Sequence, residues 1–98
     1  LQLFGGAVFL GANLIMETAQ DILNRIRWDE HLATDEFVIG YYDRVEGQII
    51  KVAFTEIRFP EDHHFQFELI DEDGGLRSIP YHRVREIYQN GQLIWRRD

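Results

Sequence analysis

The sequence has no cysteine, a single lysine and, in its first sixteen residues, no charge. Without cysteine there are no disulfides, no thiolate metal sites and no thiol nucleophile. Nothing requires an oxidising compartment, so the cytoplasm is the default location. Lys51 is the only lysine among ten basic residues, so cationic contacts fall almost wholly to arginine. Arginine is the better planar, bidentate partner for phosphate, and equally the better ion-pair partner in an acidic protein. Positive charge is itself scarce: 17 acidic against 10 basic residues give a net charge of −7. Such a chain repels polyanions at long range, which excludes coating nucleic acid through bulk charge. It leaves room for a pocket that holds one phosphate group by local geometry.

Catalytic signatures are missing as well. There is no Gly-rich phosphate loop and no Gly-x-Ser-x-Gly turn. Metal-free hydrolysis of a phosphate ester wants an acid and a base, commonly two histidines, on opposite sides of phosphorus. None of His31, His63, His64 and His82 begins a His-x-Thr or His-x-Ser pair. His63 and His64 are adjacent, so in extended chain they point apart. With Asp62 they form only a weak metal candidate, since no second cluster supports it. The chain reads as non-catalytic, with no metal and no cofactor expected.

What remains is one domain of 98 residues, 45% apolar and 13% aromatic, enough for a globular core. The opening "LQLFGGAVFLGANLIM" is too short for a membrane span and lacks the basic start of a signal peptide. Residues 1–15 are expected to be a non-native apolar leader before an initiating Met16; the alternative is an apolar strand docking on the sheet or on a second copy. Residues 16–98 then form the domain.

A helix is predicted from Thr18, which can cap the amide of Asp21, to about Arg27 or Trp28, with Ala19, Ile22, Leu23 and Ile26 on one face. Then "FVIGYYDRV" reads as a strand with Phe37, Ile39 and Tyr41 on one face, and Gly40 in mid-strand suggests a bulge or something packed closely over it. "IIKVAFTEI" follows, with Ile50, Val52 and Phe54 together. "FQFELI" puts Phe65, Phe67 and Leu69 inward and pairs across "DEDGG" with "LRSIP". The last two strands flank Asn90-Gly91, the strongest hairpin signal present. Their predicted register sets Tyr88 against Leu93, Ile87 against Ile94, Glu86 against Trp95 and Arg85 against Arg96. The fold class is α+β: one N-terminal helix packed on a small, curved, mostly antiparallel sheet of about six strands.

Four stretches, "ILNRIRWDE", "FVIGYYDRV", "IPYHRVREI" and "GQLIWRR", in that order and spacing, resemble the RNA cyclic group end recognition domain family, some of whose members are labelled RNA repair domain. The resemblance covers roughly residues 17 to 97. It implies a role in RNA repair or processing: binding RNA 3′ ends that carry a 2′,3′-cyclic phosphate, alone or beside RNA ligases, phosphoesterases or nucleotidyltransferases. Carried over by motif, the candidates are Asn24, Arg25 and Trp28; Gly40, Tyr42, Asp43 and Arg44; Pro80, His82 and Arg83; and Gly91, Trp95 and Arg97. The segment from Ile57 to Ser78 is longer than in compact members and adds an extra hairpin.

A cyclic phosphate end needs a forked donor for its oxygens, a further donor beside it and an apolar plate for the base. His82 and Arg83 are expected at the centre, with Arg44, Tyr42, Arg25 and Arg97 as further phosphate contacts. Trp28, Tyr81 or Trp95 would stack on the base. Against this, Trp28 and Trp95 could be core residues, Asp43 could cap the turn at Glu46-Gly47, and His82 could be a structural hydrogen-bonding residue where an edge strand begins. Arg85 and Arg96, facing each other, would be unfavourable unless an anion lies between them. That anion could equally be Asp73 or Glu86 of the chain itself, although Glu86 is expected on the opposite sheet face. The alternatives to end binding are a single-histidine phosphoesterase and a protein-interaction module for an RNA-processing enzyme.

Overall fold

The computed structural model describes residues 17–97 apart from His63 and Glu72. The apolar leader, Met16 and the His63 half of the adjacent histidine pair therefore lie outside the described residues. Helix α1 spans Ala19–Trp28 and starts from a reciprocal cap. The Thr18 hydroxyl accepts from the Asp21 amide, and the Asp21 carboxylate accepts from the Thr18 amide. Ala19, Ile22, Leu23 and Ile26 are its buried stripe, as their spacing predicts.

The strands are β1 (Phe37–Asp43), β2 (Gln48–Ala53), β3 (Ile57–Arg58), β4 (Gln66–Ile70), β5 (Leu76–Pro80), β6 (Val84–Gln89) and β7 (Gln92–Arg96). They form two antiparallel sheets, a four-stranded one in the order β2-β1-β6-β7 and a three-stranded one in the order β3-β4-β5. The α+β class stands, with seven strands in two sheets where the sequence suggested about six in one. The division is made by a 3₁₀ turn at Phe54–Glu56, inside the stretch read as continuous strand. Glu56 accepts from the Ala53 amide, which turns the chain out of β2 and into the second sheet. Helix α1 lies against β6 and against a 3₁₀ turn at Tyr81–Arg83. One core joins both sheets: Ile39, Tyr41, Val84 and Ile87 from the first, and Ile57, Phe67, Leu69 and Ile79 from the second.

Three expectations are corrected. Phe65 is exposed, because β4 begins only at Gln66 and the inward alternation starts with Phe67. His82 does not begin an edge strand; it lies in the 3₁₀ turn, and the strand that follows is interior, between β1 and β7. The hairpin register holds only near its turn. Asn90 and Gly91 both have positive φ, 50° and 84°, the conformation a two-residue hairpin loop requires. Gln89 then pairs with Gln92 and Tyr88 with Leu93, but Ile87 faces Trp95 and Glu86 faces Arg96. Ile94 is the extra residue of a bulge. The slip has a packing reason: Ile94 and Trp95 are consecutive, and both are buried. Strict alternation would leave one of them in water.

Candidate functional site

The antiparallel order brings the end of β1, the start of β2, the start of β6 and the end of β7 to one end of the four-stranded sheet. Tyr42 pairs with Ile49, Tyr41 with Val84, and Glu86 with Arg96. Arg44, His82, Arg83, Arg85, Arg96 and Arg97 therefore gather at this end, from segments up to half the chain apart.

A second irregularity shapes the cluster. Between Gly40 and Tyr41 the β1–β6 register shifts, so Gly40 faces Glu86, Tyr41 faces Val84, and Arg85 is the residue left over. The Arg97 amide donates to the Arg85 carbonyl at 2.8 Å, which sets these two arginines, and not Arg85 and Arg96, opposite each other. Both guanidinium groups turn onto one backbone oxygen. Arg85 Nη1 donates to the His82 carbonyl at 2.6 Å, and Arg97 Nη2 donates to the same oxygen and to the Val84 carbonyl at 3.2 Å. Burial, and then the charge of Arg85, push Arg97 below the ordinary arginine value. Among the described residues no carboxylate pairs with either group.

Two shallow hollows meet at Arg97. One, about 330 Å³, is lined by Tyr42, Ile49, Arg85, Glu86, Arg96 and Arg97. The other, about 230 Å³, is lined by Thr18, Ala19, Gln20, Phe65, Tyr81, His82 and Arg97. It continues past Gln20 and Tyr81 into a third that holds Asn24, Arg27 and His64.

The sequence candidates fall into three groups. His82, Arg97 and Tyr42 line these hollows, and Arg83 is half-buried in the same 3₁₀ turn, with no ion pair among the described residues. Arg44 is exposed in the β1–β2 turn and lines neither of the two hollows that meet at Arg97. That turn is built by Asp43, whose carboxylate accepts from the amides of Val45 and Glu46 at 2.8 and 3.1 Å and from Arg77 at 3.2 Å. Asp43 is thus the turn cap, and its carboxyl is held below the usual range, first by the Glu46 amide and further by Arg77, against the opposing effect of burial. Arg25 lies on α1 in an ion pair with Glu17 at 2.9 Å, so its charge is already answered.

The aromatic candidates divide. Trp95 is 5% exposed, and its indole N–H donates to the Glu17 carbonyl at 3.1 Å, so it is a core residue and offers no face to a base. Tyr81 is also buried, its ring 5.7 Å from that of Phe67, and only its rim reaches the hollows. Trp28 is 72% exposed, with the Arg27 guanidinium 4.5 Å from its ring centroid. It sits at the far end of α1, over a separate hollow with Phe54 and Phe59. Sequence reasoning weighed Glu86 only as an internal partner for the arginines and set Arg85 against the wrong residue. The adjacent apolar pair Ile94-Trp95, which breaks alternation, was the available signal for the bulge.

Among the described residues no group of three or more His, Asp or Glu converges to hold a metal. A family model described as the MJ1316 RNA cyclic group end recognition domain matches residues 16–97. A curated relative, a UPF0248 protein of Metallosphaera sedula, is 32% identical over 80 residues, which is 82% of this chain and 92% of the relative. No solved structure matches.

Proposed function

From the premise that the chain belongs to the MJ1316 RNA cyclic group end recognition domain family, we propose that it binds RNA 3′ ends bearing a 2′,3′-cyclic phosphate. It does so without transforming them, in RNA repair or processing in the cytoplasm. One observation carries the reading: Arg85 and Arg97 converge on a neutral carbonyl with no carboxylate between them among the described residues. Two like charges held together are stabilised by an anion, and a cyclic phosphate monoanion presents oxygens for both forks. His82 and Arg83 add donors at the same turn.

A cyclic phosphate exists only at an end, so few contacts suffice, in keeping with the net charge of −7. Hydrolysis would want an acid and a base on opposite sides of phosphorus. His82 and Glu86 line different hollows at Arg97, so recovery of the RNA after binding decides whether either transfers a proton. The test is one short RNA with three 3′ ends, namely cyclic phosphate, linear 3′-phosphate and hydroxyl, titrated at two salt concentrations and recovered afterwards. Tight binding confined to the cyclic end, with a shallow salt dependence, is expected. Recovered linear phosphate would make the protein a phosphoesterase. Indifference to the end would overturn end recognition and turn the search to a protein partner such as an RNA ligase or nucleotidyltransferase.

A further inference from the structure

The hollow between Tyr42 and Arg96 contains a carboxylate where an anion site should have none. Glu86 projects from β6 onto the face of the four-stranded sheet away from α1, next to Arg85 in the chain and opposite Arg96 in register. A negative group there weakens phosphate binding unless it meets a different part of the ligand. The packing holds it in place. Its Oε1 accepts from the Tyr88 hydroxyl at 2.9 Å, and a side chain at Gly40 would come within 3.0 Å of that oxygen and of Ile49 Cγ2. Glycine at position 40 is what lets the carboxylate lie across β1. The other carboxylate oxygen takes no hydrogen bond among the described residues, and an ionised carboxylate accepts at both oxygens.

We propose that this hollow is a base-selective subsite that takes a terminal guanine, a step that rests on the end-binding reading. Guanine carries two adjacent donors, N1–H and the N2 amino group, which match the two oxygens of a carboxylate as a bidentate pair. Adenine and cytosine carry one amino donor beside an acceptor nitrogen. Uracil sets carbonyl oxygens on both sides of its one N–H, and those meet Glu86 as like to like. The base lies against Tyr42, which is 38% exposed, and against Ile49 across from it. Its phosphate then reaches Arg97 and Arg85, which line the same hollow.

The experiment uses short RNAs with a 2′,3′-cyclic phosphate, identical except for a last base of guanine, hypoxanthine, adenine, cytosine or uracil. On the unaltered protein, guanine should bind roughly tenfold or more tighter than uracil, the discrimination a bidentate pair supplies. Hypoxanthine, which lacks the N2 amino group, should fall between. Glu86→Gln keeps the shape and an acceptor for Tyr88 but replaces one oxygen by a donor, and should flatten the series while its melting temperature stays near the parent's. Equal affinity for all five ends, or a guanine preference untouched by Glu86→Gln, overturns the subsite and leaves end binding standing. Absence of binding to every cyclic end overturns both.

Discussion

Arg97→Ala separates a ligand-binding arginine from one that merely closes the hairpin. In the free protein its guanidinium donates to the His82 and Val84 carbonyls, beside the like charge of Arg85. Arg97 is exposed as a residue, so water can replace much of its hydrogen bonding. Removing it relieves repulsion with Arg85 but also takes the guanidinium from over the Trp95 ring, 5.7 Å from its centroid. These effects oppose one another, and the stability change should stay within about 1 kcal/mol. In the complex the same side chain would contact the phosphate. A hydrogen bond to a charged group contributes about 1.5–3 kcal/mol, which is a loss of roughly ten- to 150-fold in affinity. One phosphate contact fewer should also lower the salt slope by about 0.7 on single-stranded RNA. Fluorescence anisotropy with a labelled cyclic-ended RNA at two salt concentrations, together with a thermal melt, reads all three quantities. Arg85→Ala should behave alike, and the double variant should lose less than the sum because both forks hold one anion. Unchanged affinity and slope in Arg97→Ala would refute the reasoning, and so would a large drop in melting temperature, which would make Arg97 structural.

The fold itself supplies two more tests. Asp43 has a folded pKa depressed below its unfolded value of about 4, so the stability it contributes is present above that pH and is lost as pH falls through the folded value. The difference in melting temperature between the parent and Asp43→Asn should therefore be largest near neutrality and narrow below about pH 4; a constant difference would remove Asp43 from the acid transition. Phe67 is fully buried between Tyr41 and Tyr81, where the two sheets share their core. Phe67→Ala should cost about 3–5 kcal/mol by chemical denaturation, and a loss below about 1 kcal/mol would mean that the second sheet is not part of the cooperative core.

Where one local rule governs, the sequence was sufficient. The Thr18–Asp21 cap, the stripe from Ala19 to Ile26, the alternation of β1 and the Asn90-Gly91 loop each follow from neighbouring residues, and each is found. The failures occur where distant packing overrides local pattern. "IIKVAFTEI" alternates well enough to read as one strand, yet Glu56 caps a turn in its middle and hands Ile57 to another sheet. Arg85 against Arg96 is the strict hairpin register. It fails because two consecutive apolar residues must both be buried, a demand set by α1 and the core rather than by the hairpin. For the candidate site, Tyr42, His82 and Arg97 were legible from motif and chemistry. Arg85 and Glu86 were not, since their placement depends on two bulges, one on each side of β6.

Those bulges also bear on how an acidic protein would offer the proposed anion site. A regular β6 would alternate Arg85 and Glu86 to opposite faces and set each against its direct neighbours. With one shift toward β1 and another toward β7, Arg85 meets Arg97, while Glu86 lies over Gly40 and accepts from the Tyr88 hydroxyl. Positive charge is thereby concentrated at one point of a surface whose net charge is negative, and Glu61, Asp62, Glu68, Asp71 and Asp73 lie in the other sheet and its loops. At physiological salt the Debye length is about 8 Å, so this point acts on a phosphate that touches it and little on phosphates farther along the strand. On the proposed reading, a chain built so would gain affinity from a single terminal group, whereas the rest of an RNA would contribute little attraction. This is the electrostatic requirement for recognising an end and ignoring the middle.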